Sequence, residues 1–203
     1  MKQTKYDSRE EWFAGRRAKI TGSRLKDIVV KRGTGKKIGF YELIAERLGI
    51  PADDESAMDR GTRLESEALD VFEKETGKKV DRSLIIWTRD DNDCIAISPD
   101  GFIAGKKIKE AVETKCLSSA RHIEAWLTKK IPDEYEYQKL QYFIVNDDLK
   151  TLHFTFYDPR LIAKPFFIIE VSRADVQKEI DEYLAYQKHI LLEVDAIVNE
   201  LTF

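Results

Sequence analysis

The hydrophobic pattern of this 203-residue chain changes period between its flanks and its middle. Toward both ends, apolar residues recur every three to four positions, which is the spacing of a helix that buries one face. In the middle, short runs rich in β-branched and aromatic residues are bounded by turn residues, as strands are. The chain is therefore predicted to combine helices and strands.

The predicted elements alternate in groups along the chain. Helices are predicted over 7–20, 21–32, 40–50, 54–77, 119–129, 133–145 and 173–201, with a break near Gly61 and an end at Gly77. Strands are predicted over 83–89, 93–105, 110–116, 149–158 and 165–173, with a hairpin turn at 105–107. This order predicts an α/β (α+β) fold, one domain over residues 1–203, in which a central mixed β-sheet is flanked by helices.

Composition excludes several classes of protein. Cys94 and Cys116 are too few for a disulfide framework, and no Cys/His spacing resembles a zinc site. No apolar run reaches the length of a membrane span, and the first residues lack the apolar core of a signal peptide. We therefore predict a cytoplasmic protein without a membrane anchor.

Charge is distributed unevenly, although the net charge is only −3. Acidic residues dominate the last stretch, 170–203, whereas Asp27 is the one acidic residue within 16–37. The basic residues of that segment are Arg16, Arg17, Lys19, Arg24, Lys26, Lys31, Arg32, Lys36 and Lys37. A basic entrance with an acidic exterior suits a protein that takes a polyanion into one restricted place. A solvated basic helix face is the alternative interpretation.

Charged side chains also occur on two neighbouring predicted strands. Glu113 and Lys115 are two residues apart on an apolar strand, so they emerge on the same face. Asp100 is predicted just past the neighbouring strand, where the Ser98-Pro99 turn directs it toward the same end of the sheet. Carboxylates suit Mg²⁺ or Mn²⁺, and an adjacent lysine can orient a bound water and stabilise charge on a phosphate. The alternative is an ion pair on an exposed strand.

The helix predicted over 54–77 carries a carboxylate on its apolar face. At 100° per residue, Glu65 falls near Leu69 and Phe72, whereas Glu67 turns toward solvent. A buried carboxylate needs a partner, and a metal or a metal-bound water would supply one.

The helix predicted over 133–145 carries an amide in a comparable position. Gln141 falls between Tyr137 and Ile144 on the apolar face. The amide can hold a water or a phosphate oxygen, or it can be satisfied by backbone groups.

An arginine and two hydroxyls lie close together near the N-terminus. Arg16 is followed by Thr21 and Ser23 at a predicted helix start. Arginine, hydroxyls and free backbone N–H groups are the usual components of a phosphate pocket. A helix N-cap beside an exposed arginine is the alternative.

Five motifs now occur in one order: Trp12-x3-Arg16 with "ITGS", then "RGTRLE", "SPDGFI", "ETK" and "QKLQY". The ordered set resembles the lambda-exonuclease (YqaJ-type) viral recombinase family, within the PD-(D/E)xK nuclease superfamily. The resemblance extends from about Trp12 to Asp158 and includes the "YDPR" at 157–160. Each motif is short, and their order gives the set its specificity.

The resemblance implies roles for the residues in these motifs. Asp100 and Glu113 would ligate a metal together with the Thr114 carbonyl. Lys115 would position the attacking water, and Glu65 would be the helix-borne carboxylate that supports the metal site.

The resemblance also implies a phosphate site and a glutamine. Arg16 and Ser23 match residues that in the family grip the 5′-phosphate of the digested strand. Gln141 with Tyr142 matches the downstream glutamine of the family. Gln138 with Tyr142 satisfies the Q-x-x-x-Y of related nucleases, so both glutamines remain candidates.

The resemblance implies an Mg²⁺-dependent 5′→3′ exonuclease on linear double-stranded DNA, with Mn²⁺ as a substitute metal. It further implies a homotrimeric ring, a single-strand annealing protein as partner, and phage or prophage origin in a bacterial cell. Two alternatives are an endonuclease of the same superfamily and a non-catalytic DNA-binding module with this fold. An ATPase is disfavoured because "RGTGKK" lacks the GxxxxGK[ST] spacing.

Overall fold

The computed structural model describes residues 8, 10–11, 14, 35–50 and 56–202. Its α-helices are α1 (Ile38–Arg47), α2 (Ala57–Thr76), α3 (Ser119–Thr128), α4 (Glu136–Val145) and α5 (Gln177–Thr202). Short 3₁₀ turns at Asp133–Tyr135 and Arg173–Val176 lead into α4 and α5. The predicted helix over 21–32 and most of the one over 7–20 lie outside the described residues.

The strands are β1 (Trp87–Arg89), β2 (Asn92–Ile97), β3 (Gly101–Phe102), β4 (Glu110–Lys115), β5 (Thr151–Tyr157) and β6 (Phe166–Ser172). Among the described residues, β3-β4-β5-β6 form one sheet in that order, and β1 and β2 pair separately. The β4–β5 pair is parallel, whereas β3–β4 and β5–β6 are antiparallel. The predicted mixed sheet is confirmed.

Helices α2 and α4 cover opposite faces of this sheet. Neighbouring residues of β4 point to opposite faces, and α2 packs Leu69 and Phe72 against Val112. On the other face, the Tyr142 hydroxyl of α4 reaches the side chain of Glu113. Each face of β4 is therefore covered, which explains why its four central residues are all buried, the polar Glu113 and Thr114 included.

Helix α2 has clear start and stop signals. The Ser56 hydroxyl accepts a hydrogen bond from the Asp59 N–H at 3.1 Å, and Gly77 ends the helix with a φ of 70°. The predicted break near Gly61 is wrong, since α2 continues through it. A single glycine lowers helix propensity without breaking a helix whose apolar face is packed.

The strand predicted over 93–105 is divided in two. Residues 98–100 separate β2 from β3, and these strands belong to different sheets. Pro99 has no N–H to donate to a ladder, which accounts for the interruption. The first residue of β3 is a glycine, Gly101. A Cβ at this position would collide with Val80 Cγ1, so a residue without a side chain is favoured here.

None of the helices in the described ranges meets the length and hydropathy expected of a membrane span.

Candidate functional site: a carboxylate pocket at the end of the sheet

The antiparallel pairing of β3 and β4 brings the predicted acidic residues together. Gly101 pairs with Val112, so Asp100, which precedes β3, lies beside the C-terminal half of β4. The prediction that Asp100 follows the neighbouring strand is wrong, because that strand begins after it. The predicted meeting at one end of the sheet nevertheless occurs, since the start of one antiparallel strand lies beside the end of its partner.

Glu113 is almost fully buried, with 1% of its surface exposed, and it is surrounded by donors. Its Oε1 accepts hydrogen bonds from Lys115 Nζ at 2.5 Å and from Gln138 Nε2 at 2.6 Å. Its Oε2 accepts a hydrogen bond from the Tyr142 hydroxyl. The alternative of an exposed strand ion pair is therefore excluded.

Asp100 is fixed by the backbone of β4. Its Oδ2 accepts a hydrogen bond from the Thr114 N–H at 2.8 Å. The N–H and C=O of one strand residue point toward the same neighbouring strand, so the Thr114 carbonyl leaves β4 on the side of Asp100. The Asp100 N–H donates to the Tyr142 hydroxyl at 3.3 Å, which links both acidic residues to one tyrosine.

Burial makes the charged forms of these acids costly. The pKa of Glu113 is raised to about 7, chiefly by burial and then by the charge of Asp100, while Lys115 opposes the shift. Burial also raises the pKa of Asp100, against the lowering effects of the Thr114 N–H and of Lys115. A cation between the two carboxylates would remove much of this cost, because an opposite charge favours the ionised form.

Glu65 lines the same pocket, but it is exposed rather than buried. The prediction of a buried carboxylate is therefore wrong. Leu64 and Ala68 fill the apolar stripe as expected, whereas Glu65 lies at its edge, where α2 borders the open pocket. The pKa of Glu65 is raised by partial burial and by Asp100, and lowered by Lys115, as expected for a group facing both.

Glu67 is exposed, as predicted. It also accepts a hydrogen bond from the Tyr157 hydroxyl, a contact that the helical pattern alone does not indicate.

Of the two candidate glutamines, Gln138 is the one that enters the pocket. It lies four residues before Tyr142, so both side chains emerge from the same face of α4 and contact the same carboxylate.

Gln141 is directed elsewhere. Its Nε2 donates to the Ala96 carbonyl at 3.1 Å, and its Oε1 accepts from Gln187 Nε2 at 2.8 Å. Three residues after Gln138, it is rotated toward β2 and α5 instead of β4. The alternative of an amide satisfied by backbone groups is confirmed in part for Gln141, since one partner is a backbone carbonyl and the other is a side chain, and its assignment to the site is corrected.

The pocket has a volume of about 360 Å³ and is open to solvent. Its lining residues are Gly61, Thr62, Glu65, Asp100, Glu113, Thr114, Lys115, Cys116, Leu117, Tyr135 and Gln138. The sequence did not identify Tyr135 as a pocket residue. Its position three residues before Gln138 could have indicated it, because residues at this spacing lie on neighbouring parts of one surface.

The donor set fits a hard divalent cation held partly by water and substrate. Among the described residues, no three His, Cys, Asp or Glu side chains are grouped to hold a metal by themselves. Asp100 and Glu113 with the Thr114 carbonyl would supply oxygen ligands to such an ion, and Mg²⁺ in phosphate-processing sites is often bound by one or two carboxylates with water and substrate oxygens. Glu65 lies at the mouth of the pocket, where it can contact a water.

The predicted phosphate residues Arg16, Thr21 and Ser23 lie outside the described residues.

A sequence model of the YqaJ-like viral recombinase domain matches residues 11–148. This match covers more than half of the chain and contains all of the pocket residues. The chain belongs to the YqaJ-like viral recombinase family. The resemblance read from the ordered motifs is thereby confirmed.

The YqaJ-like chain is 30% identical over 138 residues to the uncharacterized protein YqaJ of Bacillus subtilis (strain 168). The match covers 66% of this chain and 41% of that protein, so the chain spans about two fifths of its curated relative.

A solved structure supports the same relationship over nearly the whole YqaJ-like chain. The alkaline exonuclease LHK-Exo from Laribacter hongkongensis aligns with a TM-score of 0.56 and 28% identity. The alignment covers 95% of this chain and 99% of the exonuclease chain. The complex of LHK-Exo with dAMP aligns with the same values.

Proposed function

We propose that this protein is a Mg²⁺-dependent 5′→3′ exonuclease that digests one strand of linear double-stranded DNA. It would release mononucleotides and leave a 3′ single strand for annealing. The observation that carries the proposal is a buried carboxylate, Glu113, held against Lys115 and next to Asp100 in an open pocket. Burying acids in this way is costly and has a clear use at a cation site.

The residues of the pocket have different roles in the proposed reaction. Asp100, Glu113 and the Thr114 carbonyl would hold Mg²⁺, which polarises a phosphate and lowers the pKa of a bound water. Gln138 and Tyr142 orient the Glu113 carboxylate, and the Thr114 N–H orients Asp100. Lys115 would orient the attacking water and stabilise the charge that develops on the phosphate.

The comparisons support this choice of chemistry. LHK-Exo is an alkaline exonuclease of similar fold, and its complex with dAMP contains a mononucleotide. A mononucleotide is the product expected when phosphodiester bonds are hydrolysed one at a time from a strand end.

Linear duplex DNA with 5′-phosphates is expected to be degraded to mononucleotides in Mg²⁺, whereas closed circular plasmid survives. A strand-end enzyme needs a terminus, and a chelator should stop digestion because the carboxylates need the cation. Gel analysis of 5′-labelled and 3′-labelled duplex, with and without chelator, measures direction and metal dependence. Efficient cutting of the closed circle would favour the alternative, an endonuclease of the same superfamily.

Direction is proposed to come from a 5′-phosphate pocket that includes Arg16, with Thr21 and Ser23. Arg16→Ala is expected to abolish the preference for 5′-phosphate over 5′-hydroxyl ends, because the guanidinium supplies charge-assisted hydrogen bonds to phosphate. Initial rates on the two duplexes measure the preference. Arg32→Ala, in the same basic segment, is the matched control and should retain it. A preference that survives in Arg16→Ala would contradict the assignment.

The assembly is proposed by resemblance to the family. A homotrimeric ring around DNA, a single-strand annealing partner, and a phage or prophage origin in a bacterial cytoplasm are consistent with an exonuclease that prepares ends for recombination. Native mass measurement tests the oligomeric state.

A further inference from the structure

We infer that Tyr135 is a positioning residue that holds the Lys115 ammonium over its aromatic ring, at the place where the lysine meets substrate. This inference rests on the proposed function, since it assigns Tyr135 a part in the same reaction. The contact that carries it is between Lys115 Nζ and the Tyr135 ring, 4.7 Å from the ring centroid.

The ring is held by the fold. Tyr135 ends a 3₁₀ turn, and its N–H donates to the Pro132 carbonyl at 2.9 Å. The ring packs against the main core, with its centroid 6.2 Å from that of Phe154 on β5. Tyr135 also lines the pocket. Tyr135 is thus a fixed wall of the site, anchored by the sheet and by the turn that leads into α4.

The Lys115 side chain is flexible and needs contacts that restrain it. It has four rotatable bonds, and only 18% of the side-chain surface is exposed, so the side chain as a whole is largely removed from water. Glu113 Oε1 accepts a hydrogen bond from the ammonium at 2.5 Å, and the face of the Tyr135 ring attracts the same group. Two contacts restrain the position of Nζ better than one does.

The kind of contact matters for the chemistry. An ammonium has three N–H donors, and an aromatic face attracts the charge without needing a conventional acceptor. A second carboxylate in place of the ring would compete with a water or a phosphate oxygen for those donors. The aromatic wall instead restrains the amine while its donors remain suited to substrate.

The distinguishing variant is Tyr135→Leu, which removes the π-face but keeps an apolar side chain against Phe154. We expect kcat on linear duplex to fall about tenfold, which lies between the effects of an exposed and of a fully desolvated cation–π contact. KM should change by less than about twofold, because the lost interaction is with the protein and not with DNA. Tyr135→Phe should recover most of the rate, since the ring and not the hydroxyl faces the lysine. Tyr137→Leu, on α4 and 65% exposed, is the matched control and should digest at the wild-type rate.

A double-mutant cycle identifies the residue through which Tyr135 acts. In a Lys115→Met background, Tyr135→Leu should cause little further loss, because the partner of the ring is already absent. A full tenfold loss in that background, or a rise in KM with unchanged kcat, would overturn the inference and indicate that Tyr135 contacts the DNA instead.

A measurement without substrate separates this inference from the proposed function. In protein with ¹³C-labelled lysine, the ε-methylene protons of Lys115 should show an upfield ring-current shift. Tyr135→Phe should retain the shift and Tyr135→Leu should lose it. An inactive wild-type protein that shows this shift would refute the nuclease proposal alone, whereas a Lys115 signal unaffected by Tyr135→Leu would refute the positioning.

Discussion

Asp100→Asn is expected to reduce DNA digestion by about a thousandfold or more while leaving the fold intact. The change removes a negative charge from the cation site, and metal catalysis contributes several kcal/mol to stabilising the transition state of such reactions. An asparagine oxygen can still accept the hydrogen bond that the Thr114 N–H donates to Asp100. Because the pKa of Asp100 is raised by burial, removing its charge also lessens a desolvation cost. The melting temperature without metal should therefore be maintained or rise slightly.

The measurement compares initial rates on 5′-phosphorylated duplex with thermal unfolding, each with and without Mg²⁺. The expected Mg²⁺-dependent rise in melting temperature should also shrink in Asp100→Asn, since stabilisation by a bound ion follows its affinity. Asp148→Asn is a suitable control because Asp148 is paired with Lys107 on the surface. If Asp100→Asn digested DNA at nearly the wild-type rate, the assignment of Asp100 to a metal site would be wrong.

Lys115→Met is expected to lower kcat by about 10²- to 10⁴-fold, the usual contribution of a group that orients or transfers a proton in the reaction. Methionine keeps much of the length and apolar character of the lysine stem while removing the ammonium. Duplex binding in Ca²⁺ or without metal should remain within a few-fold of wild type, because many other contacts to a DNA backbone contribute to affinity.

The fold should tolerate this change better than most broken buried ion pairs. Leaving a buried charge unpaired costs about 3–5 kcal/mol. The pKa of Glu113 is raised to about 7, chiefly by burial, although Lys115 lowers it, so near neutral pH the carboxyl can take up a proton once Lys115 is absent. Lys107→Met, at an exposed surface pair, should digest DNA as wild type does. If Lys115→Met retains kcat, the lysine serves only to pair with Glu113.

Patterns among residues close together in the sequence predicted much of this fold, because such patterns depend on the local backbone and not on distant packing partners. The helical stripe of Leu64, Ala68 and Phe72 is buried as expected, and the spacing of Glu113 and Lys115 placed them side by side. Alternation along a strand and 100° per residue along a helix are properties of the backbone, so they can be read without knowing the partners.

The remaining features depend on what each surface packs against. Periodicity placed Glu65 near the buried stripe of α2, but it could not show that this part of the helix borders an open pocket. The same geometry favoured Gln141, whereas the site receives Gln138, because two separate surfaces of α4 are covered, one by β4 and one by β2 and α5. The division of the strand at Pro99, which places Asp100 ahead of β3, is likewise a matter of sheet pairing.

The interval between Gln138 and Tyr142 limits how chains of this type can vary in length. Both residues reach Glu113 from one turn of α4, so inserting or deleting a single residue between them would rotate one of the two by about 100° away from the carboxylate. The exposed part of the β3–β4 connection, residues 104–107, has no such requirement, since none of these residues lines the pocket. Insertions are therefore compatible with an intact site in that connection and incompatible with it in this helical turn.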